Sequence, residues 1–111
     1  MTTLEALWMG VPVVTMAGDG VVSRQTYSAL ANIGLVDQLA FAGVDDYVSG
    51  AISLATDRSR LVAIRRDIRA RMAASPICKP DRFAHDLESL YREMWIAYCR
   101  GQRLPAMFRT E

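Results

Sequence analysis

A chain of 111 residues has room for one small hydrophobic core and excludes a complete two-domain enzyme. Its 51% apolar and 23% charged residues exclude a disordered chain, and 13 basic against 12 acidic side chains leave +1, too little to draw it to nucleic acid or an anionic membrane. No apolar run reaches the roughly 18 to 20 residues of a membrane span, and the opening Met1-Thr2-Thr3-Leu4-Glu5 lacks the basic start and apolar stretch of a signal peptide.

Thr2 or Thr3 can cap a first helix, with Glu5 in the first turn, where the positive end of the dipole favours a carboxylate. Leu4, Leu7 and Trp8 give it an apolar face, and Gly10 supplies the stop. Val11-Pro12-Val13-Val14-Thr15-Met16 reads as a buried parallel strand, followed by the loop Ala17-Gly18-Asp19-Gly20. A second helix, capped by Ser23, carries Tyr27, Leu30, Ala31 and Ile33 and ends at Gly34. Leu35 to Phe41 is an apolar connection with room for a two- or three-residue strand.

Asp45 opens a helix with Tyr47, Val48, Ala51, Ile52 and Ala55 on one side. The next starts near Asp57, sets Leu61, Ile64, Ile68 and Met72 in one stripe, and is stopped by Ser75-Pro76. The longest runs from Pro80 or Asp81 to Arg100, with Phe83, Leu87, Leu90, Tyr91, Met94, Trp95 and Tyr98 as its apolar face and Gly101 as its end. Trp8 and Trp95 fall at core positions; 102–111 reads as a loose tail whose Leu104, Met107 and Phe108 could dock on a neighbour. The pattern is α/β, and because a buried strand cannot satisfy its own backbone groups, its partners are expected upstream of the first helix.

Two features bear on chemistry. Small hydroxyl residues at a helix start can hold a pyrophosphate on backbone N–H groups, and a carboxylate one turn along can accept from a ribose diol. The same residues serve equally as cap and dipole complement, so spacing leaves both roles open for Thr2, Thr3 and Glu5. Asp19, Ser23 and Arg24 follow the strand, where α/β ligand sites gather, though Ser23 serves equally as a cap.

Other candidates point away from catalysis. His85, the one histidine, has no second ligand at metal spacing, and no Ser/His/Asp constellation is supported. Arg58, Arg60, Arg65, Arg66, Arg69 and Arg71 are interrupted by Asp67 and by the apolar stripe, so they read as a solvated helix face rather than a nucleic-acid site. Cys78 and Cys99, far apart and outside any ligand pattern, read as free thiols of a cytoplasmic protein.

The run from Thr3 to Thr15, T-L-E-A-L-W-M-G-V-P-V-V-T, resembles the segment after the nucleotide loop in the O-linked N-acetylglucosamine transferase family and its bacterial, SPINDLY-like members. Further matches follow in the family's order: Gly18-Asp19 with Ser23-Arg24, Leu30 with Gly34-Leu35, Asp46-Tyr47, and Ser75-Pro76 with Cys78. The more specific match is that Ser75-Pro76 and Cys78 turn followed by Phe83-Ala84 through Leu87-Glu88, Tyr91, Met94-Trp95 and Tyr98.

The resemblance implies an α/β fragment, residues 1–101, of a GT-B Rossmann-like C-terminal nucleotide-binding lobe, mostly helical with one or two short parallel strands and a long C-terminal helix. It implies inverting transfer of a sugar, N-acetylglucosamine in this family, from a nucleotide donor such as UDP-N-acetylglucosamine to Ser/Thr hydroxyls of an acceptor protein, with no cofactor or metal required. By position, Thr2 and Thr3 approach the donor phosphates and Glu5 binds the ribose. Relatives have a third small hydroxyl residue where this chain has Met1, and some have Gly where it has Thr3. The catalytic base, the acceptor-facing lobe and helical repeats are expected outside this segment. Rival readings are a non-catalytic helical interaction module, or another GT-B enzyme such as an epimerase or glycogen-synthase-like protein, against which the aromatic C-terminal helix argues.

Overall fold

The computed structural model describes residues 2–102, which divide into two compact units meeting in sequence between Cys78 and Lys79. The first contains α1 (Thr2–Trp8), β1 (Thr15–Met16), α2 (Val21–Asn32), α3 (Val36–Leu39), β2 (Ala40–Phe41), α4 (Val44–Thr56), α5 (Arg58–Ala74) and a 3-10 turn at Pro76–Cys78. The second is α6 (Pro80–Cys99). The expected docking residues Leu104, Met107 and Phe108 lie outside the described residues.

The strands pair in parallel, Thr15 opposite Ala40 and Met16 opposite Phe41. Parallel neighbours need a crossover, and α2 with α3 supplies it, so β1, α2, α3 and β2 form a β-α-β unit and the α/β class holds. Two details differ from the sequence reading. The strand is two residues long, not six, and among the described residues it pairs with β2, which lies downstream. Only β2 offers a ladder among the described residues, and it reaches just far enough to add one bond beyond the strand, from Ala17 N to Phe41 O at 3.1 Å. Val13 and Val14 still pack on the core as extended chain, while Val11 is exposed.

One core serves the first unit. Ile64, Ile68 and Met72 of α5 meet Leu7 of α1, Leu30 of α2, Leu39 of α3 and Leu54 of α4. Leu7, Leu30, Leu39 and Ile68 are fully buried, each contributing roughly 1.5–3 kcal/mol over an exposed side chain. The ends of α5 follow the sequence: Asp57 Oδ1 accepts from Arg60 N at 2.9 Å as N-cap, and Ser75, extended before Pro76, turns its hydroxyl back to Met72 O at 2.7 Å. Gly10 and Gly34 end α1 and α2 with positive φ, each followed by the paired back-bonds of a Schellman turn. For α1 those bonds run from Gly10 N to Leu7 O and from Val11 N to Ala6 O.

Helix α4 packs through a face that includes Tyr47 and Ala51, as expected, but is rotated away from Val48, Ile52 and Ala55. Val48, Ile52 and Ala55 are exposed, and the inward side is Tyr47, Gly50, Ala51 and Leu54. Apolar residues surround most of this helix, so period alone could not choose a face. Gly50 chose it: a Cβ there would overlap the far edge of the Phe41 ring, so the absent side chain is what lets α4 lie on β2. The helix also starts at Val44 with Gly43 as N-cap, leaving Asp45 and Asp46 in the first turn.

Helix α6 starts at Pro80, as a residue without an N–H can, and closes at Gly101 with the same back-bonded turn. Its apolar face is not a core. Phe83, Tyr91, Trp95 and Tyr98 are 60–74% exposed, and Leu87, Leu90 and Met94 are half-buried. Trp95 stacks on Tyr98 with ring centroids 5.8 Å apart. A single helix has no second layer of its own in which to bury such a stripe. Trp8 is likewise 42% exposed rather than buried.

Gly50→Ala should lower stability by about 1–3 kcal/mol through overpacking, even though Ala is the better helix former by about 1 kcal/mol. In a Phe41→Leu background the same change should become neutral or stabilising; a denaturant double-mutant cycle reads the coupling, and stabilisation by Gly50→Ala alone would refute the contact. Trp95→Ala should cost under about 1 kcal/mol in this chain, against the roughly 3–5 kcal/mol of a buried tryptophan.

Candidate functional site

The candidate donor residues sit on α1, a helix of seven residues. Thr2 and Glu5 are three apart, hence on one face, and both are exposed. Thr3 is half-buried and turns the other way: its Oγ1 lies 3.2 Å from Thr26 Oγ1 of α2. A hydroxyl has one proton and two lone pairs, so this pairing leaves Thr3 further hydrogen-bonding capacity. Neither threonine precedes α1 as an N-cap; both lie within the helix.

Seven residues are too few for a helix to stand alone in water, so packing must hold α1. Leu7 is buried to 0%. The Schellman turn at Gly10 brings the chain against α5, where a Cβ on Gly10 would stand 3.2 Å from Arg65 O. One turn further along α5, Arg69 donates from Nε to Trp8 O at 2.9 Å and lies over the Trp8 ring, 5.4 Å from its centroid.

This contact belongs to a set. Arg71 Nη1 approaches Ile33 O and Gly34 O at the end of α2, each at 3.4 Å, and Arg60 Nη2 donates to Gln38 O in the last turn of α3 at 3.2 Å. Three arginines expected on a solvated face thus each reach helix-terminal carbonyls, which have no intrahelical donor. The sequence carried no signal for this beyond the charges themselves, since the partners are backbone atoms 22 to 61 positions away. Between α3 and α5 the same residues border a cavity of about 160 Å³ lined by Leu35, Gln38, Arg60, Ile64, Asp67 and Arg71. That is below the roughly 300–1,000 Å³ of small-molecule sites, and its guanidinium groups are already engaged.

The loop after β1 is tied to α2. Ser23 is not the cap: Gly20 holds that position, and the Ser23 hydroxyl donates back to Gly20 O at 2.7 Å from inside the first turn. Arg24 reaches Gly18 O at 3.4 Å and lies over the Tyr27 ring at 5.0 Å, while Asp19 is exposed. Among the described residues no hydrogen bond joins this loop to α1, so the structure brings Thr3 to Thr26 but not Asp19 or Arg24 to Thr2 or Glu5.

His85 is exposed on α6, with Nδ1 3.7 Å from Asp86. Among the described residues no His, Cys, Asp or Glu cluster could hold a metal ion, and no helix is long and apolar enough to cross a membrane. Cys78 and Cys99 are free and exposed.

Comparison with known proteins gives a consistent picture. The sequence model of glycosyl transferase family 41 matches residues 1–87. A barley (Hordeum vulgare) protein named "Probable UDP-N-acetylglucosamine--peptide N-acetylglucosaminyltransferase SPINDLY" is 44% identical over 110 residues, covering 99% of this chain and 11% of that protein. The SPINDLY protein of Arabidopsis thaliana is 43% identical over 110 residues, 99% of this chain and 12% of its own length. The same plant's SEC protein, named for the same activity, is 29% identical over 109 residues, with 98% and 11% covered. The chain therefore spans about a tenth of the length of these curated relatives.

The seat of α1 can be measured. Thr26→Val keeps shape but removes the hydroxyl that faces Thr3, and should cost about 0.5–1.5 kcal/mol, whereas Thr26→Ser should cost less than half of that. Equal melting of the Val and Ser variants would show that the hydroxyl pair does not contribute.

Proposed function

We propose that this chain, which belongs to glycosyl transferase family 41, is the C-terminal part of the catalytic region of a protein O-linked N-acetylglucosamine transferase, within the nucleotide-binding lobe of a GT-B fold. The observation that carries the reading is the family match over residues 1–87, which takes in α1, the β-α-β unit and α5. The relatives' names support UDP-N-acetylglucosamine as donor and a peptide as acceptor.

In this reading α1 serves the donor. Its first-turn N–H groups and the Thr2 hydroxyl face the diphosphate, with Thr3 beside them, braced against Thr26. Glu5, one turn along the same exposed face, accepts from the two ribose hydroxyls. Such contacts hold and orient the donor so that the acceptor oxygen meets the anomeric carbon in line, which is where positioning lowers the barrier. Helix α1 stabilises the departing diphosphate charge through its N-terminus. No residue of this chain is assigned as catalytic base; that group, the acceptor-facing lobe and helical repeats belong to the rest of a longer polypeptide, and no metal or cofactor is assigned. The free, exposed thiols support a cytoplasmic location.

Glu5→Gln in that longer polypeptide should weaken UDP binding at least about tenfold, since charge-assisted hydrogen bonds contribute roughly 1.5–3 kcal/mol each and 1.4 kcal/mol is a factor of ten. A role limited to the helix dipole would instead lower stability by about 0.3–1 kcal/mol and leave UDP affinity intact. Calorimetric titration with UDP beside a thermal melt separates the two. Wild-type protein that binds UDP no better than inorganic phosphate would overturn the donor reading and favour a helical interaction module.

A further inference from the structure

We propose that Arg69 is a positioning residue for the donor site: by holding Trp8 at the end of α1 it sets where Glu5 stands one turn before it and where Thr2 stands at the other end of the helix. The proposal rests on the donor-binding reading of those two residues.

Three observations meet at this end of α1. Arg69 Nε donates to Trp8 O at 2.9 Å, its guanidinium lies 5.4 Å from the Trp8 ring centroid, and Nη2 is 4.0 Å from Met9 Sδ. One turn earlier on α5, the chain at Gly10 passes so close that a Cβ would stand 3.2 Å from Arg65 O. The guanidinium constrains orientation as well as distance, because one N–H bonds the Trp8 carbonyl while the same cation lies over the indole. Leu4 and Leu7 hold α1 down through apolar contacts, which are non-directional, and the Thr3–Thr26 pair adds one hydroxyl–hydroxyl contact; the Arg69 bond is the directional contact at the Trp8 end.

The lever is short and sensitive. At 1.5 Å per residue, seven residues span about 10 Å, so a tilt of about 10° at Trp8 moves the first turn by nearly 2 Å. Misplacement by about 1 Å is enough to cost on the order of a hundredfold in a positioned reaction. Arg69 meets α1 at Trp8 and makes no hydrogen bond or ion pair with Thr2 or Glu5 among the described residues, so it acts through α1.

Arg71 provides the control, since it sits on the same helix and makes the same kind of contact with carbonyls of α2 instead of α1. In the longer polypeptide, Arg69→Ala and Glu5→Gln should each weaken UDP binding about tenfold, while Arg71→Ala changes it less than about twofold. Titrations are run well below the melting temperature of every variant, and melts should show similar destabilisation for the two arginine variants. If Arg69→Ala does not fold, Arg69→Lys replaces it, keeping charge and stem but not the fork, with the same expected loss of UDP affinity relative to Arg71→Lys. Loss of affinity in Glu5→Gln but not in the Arg69 variant, or equal loss in the Arg69 and Arg71 variants, would overturn the positioning role while leaving the donor reading intact. Unchanged affinity in Glu5→Gln would overturn the donor reading of α1, and this proposal with it.

Discussion

Helix α5 organises the unit that ends at Cys78, because it answers two needs along one rod. Its inner stripe of Ile64, Ile68 and Met72 buries the leucines of α1 to α4. Its flanking arginines meet carbonyls at the ends of α1, α2 and α3. The second need is as strict as the first, since the last carbonyls of a helix lose their intrahelical donors, and water or a side chain must replace them. Schellman turns at Gly10 and Gly34 satisfy some of these carbonyls, and α5 reaches the next ones, Trp8 O and Ile33 O.

That arrangement gives the short α1 a defined place. Isolated, it could not persist, because nucleating a helix fixes several residues for one hydrogen bond. Here Leu7 anchors it, Gly10 lets its end approach α5, and Thr3 meets Thr26, which leaves Thr2 and Glu5 exposed on a helix fixed by its neighbours. The placement of these candidate residues is therefore a property of the tertiary structure, even though they lie within four positions of one another.

The same contrast separates the two tryptophans from the core reading. Both stand at helical spacing with other apolar residues, yet Trp8 serves as a platform for Arg69, and Trp95 lies exposed beside Tyr98. Tryptophan combines a large apolar face with affinity for a cation, so periodicity alone does not separate a core position from a stacking surface. The family resemblance, carried by short motifs, was legible where this distinction was not.

What the sequence by itself determined was punctuation and membership. Gly10, Gly34 and Gly101 stopped helices where expected, because positive φ is open to glycine at little steric cost. Asp57 capped α5, Ser75-Pro76 ended it and Pro80 began α6, each through local backbone chemistry. The stripe of α5 was legible because only one of its faces is apolar. What only the tertiary structure decided was the choice among equivalent faces and distant partners. Phe41 selected the Gly50 side of α4, β2 limited β1 to two residues, and Arg60, Arg69 and Arg71 found carbonyls far away in sequence. Those outcomes depend on which atoms become neighbours once the chain is packed, and local propensity carries no record of that.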